Sequence, residues 1–559
     1  MLRIFGAAEV RTKMFQTFID IEVGKPLRTH PALQALVALL AALPLAAAEP
    51  AGTVPLSLFD ATKMALARNH DIAIERDSFR IAGASLDRAD GSYDPAFRLD
   101  ARYRDHTDAM NTALSGAISP DLGPRFKNIG GSVSLSQLLP TGGTVAVAGI
   151  LGKDTAESFF ALLTPAYNTG FSIDLRQPLL QGLLIDPARR AIRIAKLDKD
   201  RSVASLRRTV TDTVTEVERA YWRLVAARRT VDVARKSVGL AEQQKADTVA
   251  RIEAGVLPES DLAQPVAEVE RRKGELFSAE ELAKQTELAL KLLVLGDARD
   301  PLWGTTVDPT DTPDTASRSV DLDAALTEAE QRRPELQDAS LLVARQDVEI
   351  EAAKDRVKPQ LDLVASYGRR GLAGTPNPDI IAIGGLPITV PEPLVGSLDT
   401  SFGTIGSNEF PDAFVGLALA LPIGNRSARA DAVIAEARKR QLATSYEQTR
   451  QRVAVEVRNA ILGLDTAAQR IEAARAGRAA AETQLQAETD RFAVGLSTNF
   501  FVLTRQNDLA KAEVTETSAL TDYRIALAAL ARSTGTLLEE RGIRISGDGA
   551  AFAGLGGAR

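Results

Sequence analysis

The chain contains no cysteine in 559 residues. That excludes disulfides, thiolate metal sites, a cysteine nucleophile and lipid attachment through an N-terminal cysteine. An exported protein tolerates this loss, because folding outside the cytoplasm does not require thiol chemistry. Histidine is almost as scarce, with only His30, His70 and His106, so neither a histidine cluster nor an HExxH pattern exists. Glycine turns such as "PTGGT" lack the lysine of a phosphate-binding loop. Aspartate and glutamate pairs abound, but solvated helix faces produce them by default. Trp222 and Trp303 are isolated and read as packing residues. These absences leave no catalytic set, no cofactor site and no metal site, and the chain is read as a non-enzyme.

Long apolar runs are also missing. Beyond the N-terminus no segment offers 18 uninterrupted apolar residues, so no transmembrane helix is expected. A membrane role would therefore require a β-barrel. The N-terminus itself reads as an export leader, residues 1–48. "PALQALVALLAALPLAAAEP" (31–50) has an apolar core ending in Ala46 and Ala48, with Arg11, Lys13, Lys25 and Arg28 upstream. Met14 is an alternative start. Removing 1–48 takes five of the 67 basic and three of the 73 acidic residues, leaving a net charge of −8. A nucleic-acid binder shows the opposite balance.

What is present is a pattern stated twice. "LSLFDATKMALARNHDI" (56–72) resembles "VDLDAALTEAEQRRPEL" (320–336) at an offset of 264, and the same offset lays Tyr103 on Tyr367. "LRQPLLQG" (175–182) falls on "LALPIGNR" (419–426) at 244, and Arg251 and Gly255 fall on Arg491 and Gly495 at 240. This reads as a tandem duplication: a first repeat over 49–296, a Pro/Asp/Thr-rich connector over 297–319, a second repeat over 320–540 and a tail over 541–559.

Each repeat is expected to open on a helix of about 35 residues ended by a proline. Strict alternation follows. In "FRLDARYR" (97–104), Phe97, Leu99, Ala101 and Tyr103 oppose Arg98, Asp100, Arg102 and Arg104, and "LDLVASY" (361–367) repeats the apolar face. Such a face ending in tyrosine suits lipid outside and water inside a barrel, or alternatively one layer of a soluble sandwich. Barrel strands are assigned to about 97–177 and 360–421, with returning strands at 171–177 and 414–421 and a loop over 368–412. "SVSLSQLLPTGGTVAVAGI" (132–150) reads as a strand, a tight turn and a strand, and the pattern leaves open whether this hairpin joins the barrel wall or decorates it.

Then come two very long helices, Pro187 to about Glu253 and Arg426 to about Ala493, each on the order of 100 Å at 1.5 Å per residue. Val203, Leu206, Val210, Val214, Val217, Tyr221 and Leu224 step by three or four, as do Val453, Val457, Ala460, Leu464, Ala467 and Ile471. That seam requires partner helices. Each helix reverses at a glycine, Gly255 or Gly495, and returns over 259–295 or about 499–533. Pro265 fits an early turn of the first return helix.

"RFAVGLSTNFFVLTRQNDLAKAEVTETSALTDYRIALAALARSTGTLL" (491–538), "RIEAGVLPESDLAQPVAEVE" (251–270) and "RQPLL" (176–180) resemble the TolC family of outer-membrane efflux and secretion channels. The likeness runs over nearly the whole chain after the leader. It implies an α+β fold: a homotrimer whose shared outer-membrane β-barrel continues as a long periplasmic α-helical barrel. It also implies a Gram-negative outer-membrane location with a large periplasmic portion. The partners it implies are outer-membrane lipid, a periplasmic adaptor and an inner-membrane RND or ABC transporter.

The reading is therefore the passive exit duct of a tripartite efflux pump. A type I protein-secretion channel is the near alternative, and a soluble periplasmic coiled-coil adaptor is the distant one. In the family the tips meet the adaptor, which points to Arg251, Ala254, Gly255 and Val256 and to Arg491, Val494, Gly495 and Leu496. Relatives narrow the tunnel entrance with aspartates just after the second tip. The matching positions here are Phe501 and Thr504, while the first-repeat acid is kept as Asp261.

Overall fold

The computed structural model describes residues 52–110, 116–118, 122–314, 318–380, 388–545 and 552–553. The leader expected over 1–48 and most of the tail lie outside them. Two compact units are distinguished, Met1–Val54 with Gly304–Thr306, and Pro55–Trp303 with Val307–Arg559. Of the first, only residues 52–54 and 304–306 are described. The second unit contains both expected repeats.

In chain order this second unit holds helices α1 (Leu58–Arg68) and α2 (His70–Asp90), then strands β1 (Ala96–Thr107), β2 (Arg125–Leu138), β3 (Thr144–Glu157) and β4 (Leu163–Pro178). Helices α3 (Pro187–Glu253) and α4 (Ala263–Val294) follow. The pattern returns as α5 (Leu322–Arg332), α6 (Pro334–Val357), β5 (Gln360–Pro376), α7 (Leu398–Gly406) and β6 (Phe410–Ala420). Then come α8 (Arg426–Ala493), α9 (Asn499–Thr534) and the single turn α10 (Leu537–Glu540), followed by a short antiparallel pairing of Arg544–Ile545 with Phe552–Ala553. The fold is α+β.

The opening helix of about 35 residues is in both repeats a pair of helices instead. Asn69 takes an extended ψ of 133°, and its Oδ1 accepts from the backbone N–H of Asp71 at 2.9 Å and of Ile72 at 3.3 Å. It ends α1 and caps α2 at once, as a short amide side chain can. Arg333 makes the same break in the second repeat, without a side-chain cap, because it precedes Pro334, which disfavours helical backbone before it.

Six strands form one antiparallel meander in the order β1-β2-β3-β4-β5-β6. The hairpin left open by the sequence is thus an integral part of the sheet, since β2 pairs with β1 along its length and β3 pairs with β4. Strand β5 runs to Pro376, well into the stretch read as loop, and α7 occupies a further part of that stretch. The two repeats meet where β4 pairs with β5. There Arg176 donates to Asp362 from Nε at 3.0 Å and Nη2 at 2.6 Å, and the carboxylate is buried.

The helical core is built on the seams of the long helices. Leu206, Val210, Val214, Val217, Tyr221 and Leu224 of α3 are all buried. They pack with Ala61 and Ala65 of α1, Leu290 and Val294 of α4, and Ala531, Leu537 and Ile543 at the end of the second repeat. On α8, Leu464, Ala467 and Ile471 meet Ala519, Tyr523 and Leu530 of α9. Each large apolar side chain buried in this way contributes roughly 1.5–3 kcal/mol, so packing rather than intrinsic propensity sustains helices of this length.

A part-buried ion pair ties the start of the tail to the first repeat. Arg541 donates to Glu218 from Nε at 2.6 Å and Nη2 at 2.8 Å, and Glu218 is only 1% exposed. The hydrogen bond to Glu218 raises the Arg541 pKa above its ordinary value. Removing the cation strands a buried carboxylate, so Arg541→Ala is expected to cost on the order of 3 kcal/mol. Thermal melting followed by circular dichroism checks this. A shift no larger than that of an exposed Arg→Ala control would contradict it.

Candidate functional site: one sheet face and two helical tips

Strand register decides what each sheet face presents. Leu99 of β1 lies opposite Val133 of β2, Leu135 opposite Val147 of β3, and Val147 opposite Ile173 of β4. Ile173 faces Tyr367 of β5, and Leu363 faces Leu417 of β6. One face therefore carries an apolar band across all six strands, because side chains alternate with period 2 and the register holds along the band, the irregularity between Leu163 and Ala166 lying at the far end of β4. Away from the end of the sheet where α7 packs over Thr169 and Gly371, the band is not covered: Leu99 is 70% exposed, Val133 42% and Val415 76%. A contiguous apolar surface of this extent marks contact with lipid or another protein.

The opposite face is polar. It presents Arg98, Asp100, Arg102 and Arg104 on β1, Ser132 and Ser134 on β2, Ser172, Asp174 and Arg176 on β4, and Arg370 and Asp412 on β5 and β6. Connections differ at the two ends of the sheet. Next to the long helices, β2 and β3 are joined by the tight turn Leu139–Gly143. At the far end the connections span 108–124, 158–162 and 377–409. Among the described residues, no helix is long and apolar enough to cross a membrane.

The two reversals share one geometry. Gly255 N–H donates to Ile252 O and Val256 N–H to Arg251 O, both at 2.9 Å; Gly495 N–H donates to Phe492 O at 3.1 Å and Leu496 N–H to Arg491 O at 2.9 Å. These are six-to-one and five-to-two closures around a left-handed residue, with φ of +73° at Gly255 and +76° at Gly495. A Cβ added at either glycine would meet open space, so the conformation and not crowding selects glycine. Val256, Val494 and Leu496 beside them are 70–80% exposed.

The fold sets the two tips side by side. The Arg251 guanidinium lies over the Phe492 ring at 4.7 Å, and Asn499 Nδ2 donates to Thr248 Oγ1 at 3.4 Å. Deeper in, Arg272 is 1% exposed and spans three helices. It donates to Ser237 O and Oγ on α3 at 3.0 Å, to Glu268 on its own helix at 2.7 Å, and to Leu503 O on α9 at 3.2 Å. Sequence reasoning missed this residue, since one arginine among many on an amphipathic helix carries no local mark of burial. Of the entrance residues, Phe501 is about half exposed and meets Phe500 edge to face at 5.5 Å. The Thr504 hydroxyl donates to Phe500 O at 2.8 Å. Asp261 is exposed in the turn before α4, and among the described residues no hydrogen bond or ion pair joins it to Phe501 or Thr504.

Clefts elsewhere are lattices of ion pairs. One of them, about 590 Å³, is lined by Arg332, Arg333 and Arg532, matched by Glu539, Glu335 with Glu456, and Asp212. Among the described residues no cluster of three or more His, Asp or Glu is disposed to hold a metal ion.

Residues 325–536 match the family model described as outer membrane efflux protein. The chain is similar in structure to the CmeC outer membrane channel of Campylobacter jejuni, at 16% identity, TM-score 0.60 and 86% coverage of each chain. It is also similar to a membrane protein from Pseudomonas aeruginosa, at 20% identity and TM-score 0.58, covering 86% of this chain and 90% of that one. The open state of the MtrE outer membrane channel of Neisseria gonorrhoeae aligns at 17% identity and TM-score 0.56, covering 86% and 89%. At these identities the likeness is one of fold. No curated protein sequence matches.

Two outcomes follow from the tips. Gly255→Ala and Gly495→Ala each force a side chain into a left-handed backbone, a cost of about 1–2 kcal/mol felt locally. Hydrogen exchange over 248–260 and 488–500 is expected to accelerate in each variant, and unchanged exchange would refute the turn assignment. Burial works to raise the Glu268 carboxyl, but hydrogen bonds from Arg271 and Arg272 outweigh it and hold it below the ordinary carboxylate range. A depressed folded-state pKa gives stability that is present above the unfolded value, near 4.3, and is lost as pH falls through the folded one. Protection of 234–240 and 266–274 is therefore expected to be flat from about pH 5 to 8 and to fall below about pH 4. Glu268→Gln should flatten that acid limb.

Proposed function

We propose, for a chain that belongs to the outer membrane efflux protein family through residues 325–536, that three copies form the exit duct of an efflux pump in a Gram-negative outer membrane. The observation that carries this reading is the two-faced sheet. Its uncovered apolar band suits hydrocarbon, and its arginines, aspartates and serines suit a water-filled bore. The tight turn 139–143 at the helical end and the long connections 108–124 and 377–409 at the far end match the usual periplasmic and external ends of such barrels, although 158–162 is as short as the first. The sheet would cross the membrane and the paired long helices would extend into the periplasm.

The helices carry a matching signal. Ile74 and Ile81 of α2, Phe277 and Leu292 of α4, and Val455 and Leu462 of α8 are all more than half exposed within one copy. Apolar side chains on both flanks of a helical layer are what neighbouring copies in a ring would cover. The duct is passive: the energy comes from an inner-membrane RND or ABC transporter, coupled through a periplasmic adaptor.

The tips, Arg251 and Ala254–Val256 with Arg491 and Val494–Leu496, are the adaptor-docking surface. Exposed Val256, Val494 and Leu496 beside bare glycine backbone offer the close approach that helix-to-helix docking uses. Asp261, Phe501 and Thr504 mark the entrance. With aromatic and hydroxyl groups at two of these positions, the entrance binds multivalent cations weakly.

Three measurements test the reading. Fractionation should recover the protein with outer membranes, released by detergent; recovery as a soluble periplasmic protein would end the proposal. Replacing Val256 and Leu496 with Asp should abolish co-purification with the native adaptor while leaving the trimer intact, and undiminished capture would remove the docking assignment. In planar bilayers, millimolar divalent or trivalent cations should leave the current nearly unchanged for this chain. Phe501→Asp should make the channel sensitive to block, and strong block of the unaltered protein would overturn the assignment of Phe501 to the entrance.

A further inference from the structure

We infer that the β2–β3 hairpin is a stave of the membrane wall and that the trimer closes as an 18-stranded barrel, six strands from each of three copies, by pairing β6 of one copy with β1 of the next. The inference rests on the trimeric reading above and adds the strand count, the seam and the width of the bore.

The hairpin has the credentials of a wall element. Its apolar side chains Ile129, Val133, Leu135, Val147 and Leu151 lie on the same face as those of the flanking strands, in unbroken register with both. A decorating hairpin would fold over the sheet or above its rim; this one is hydrogen-bonded between β1 and β4 over the full height of the band.

Among the described residues the two outer edges of the sheet are unpaired. In hydrocarbon an open edge leaves a row of peptide groups without partners, at several kcal/mol each, so the edges must close. Three closures are available. Pairing β1 with β6 of the same copy would make a six-stranded barrel. Eight strands already leave room only for side chains, so six could not enclose Arg98, Asp100, Arg102 and Arg104. Pairing β1 with β1 of a second copy requires a two-fold axis through the sheet, which inverts one copy and sends its helices to the opposite side of the membrane.

The third closure, β6 to the neighbour's β1, fits every constraint. An even number of strands makes the two edges antiparallel, and they are nearly equal in length, 12 residues in β1 and 11 in β6. Both point their apolar residues to the same face, Leu99 and Tyr103 on one edge and Val415 and Leu417 on the other. The contact is head-to-tail and closes as a ring. Strand spacing and the usual tilt then give a barrel roughly 35 Å across between backbones, in the range where an aqueous channel remains. Each seam places Arg98, Arg102 and Arg104 on the water side. Among the described residues none of the three has an ion-pair partner in its own chain.

The chain has no cysteine, so introduced thiols can be read without background. Leu99→Cys is combined in turn with Val415→Cys, Leu417→Cys and Leu419→Cys, and membranes are oxidised with copper phenanthroline. At the correct register nearly all monomer should shift to dimer and trimer on denaturing gels, reversibly with reductant. An intramolecular link without oligomer would mean self-closure. A dimer from Leu99→Cys alone would mean two-fold pairing. Either overturns the inference. Because a cysteine can disturb an edge, the unaltered protein is also imaged in lipid nanodiscs by electron cryomicroscopy. Eighteen strands are expected, and any other number refutes the wall assignment. Native mass spectrometry separates the two readings: a trimer with another strand count sinks this inference alone, whereas a monomer or dimer sinks the reading beneath it.

Discussion

In the proposed membrane setting a peptide group has no water to fall back on, and that constraint would organise the sheet. Six strands exchange hydrogen bonds in an unbroken meander, and only the outer edges of β1 and β6 are left over. The need to pair those edges explains why a strand-rich portion and a helix-rich portion coexist. The sheet satisfies its peptides between strands, the long helices satisfy theirs within themselves, and each leaves its side chains to choose the surroundings. The apolar band turns to one medium and the serines, arginines and aspartates to another.

The helical portion answers a different demand. Its charged faces suit water, so what must be met is the burial of seam residues on helices far longer than a globular core requires. Neighbouring helices of the same copy cover Leu206 through Leu224 and Leu464 through Ile471. A few buried charges fix how the helices sit against one another. Glu218 holds Arg541, Arg272 reaches from α4 to both α3 and α9, and Asp355 accepts from the backbone N–H of Gly182 at 2.6 Å. A buried charge tolerates few arrangements, so such pins favour one register over its neighbours more than they add net stability.

Local features of this architecture could be read from the sequence wherever the signal was periodic or conformational. Alternation from Phe97 to Tyr103 needs no distant partner to identify a strand, and a left-handed turn announces itself through Gly255 and Gly495. Features that depend on distant contacts could not. Past Tyr367 the alternation of β5 dissolves into Arg369, Arg370 and Gly371, because α7 lies over that end of the strand. Ser401 O of α7 accepts from Thr169 Oγ1 at 3.1 Å, and Gly371 leaves the space its backbone occupies. The breaks at Asn69 and Arg333 were hidden inside helical periodicity. The burial of Arg272 and the stacking of Arg251 on Phe492 depend on residues more than 200 positions away, and no window along the chain contains both partners.

The burial record of α8 has a mechanical consequence. Its last buried residue is Ala474, and none of the residues from there to Ala493 is buried within the copy. Nineteen residues, about 28 Å at the helical rise, therefore project as a cantilever anchored at one end and steadied along its side by contacts such as Arg478 with Glu516. A bend of about 10° at the anchor would carry the free end through about 5 Å, a distance comparable to one helical pitch. The far end carries Phe492, on which Arg251 rests, so deflection of this one helix reaches the other tip through that stacked pair and the Asn499–Thr248 hydrogen bond. The stiffness of this end of the helical pair thus rests on the side contacts of α8 with α9 and on those two links between the tips.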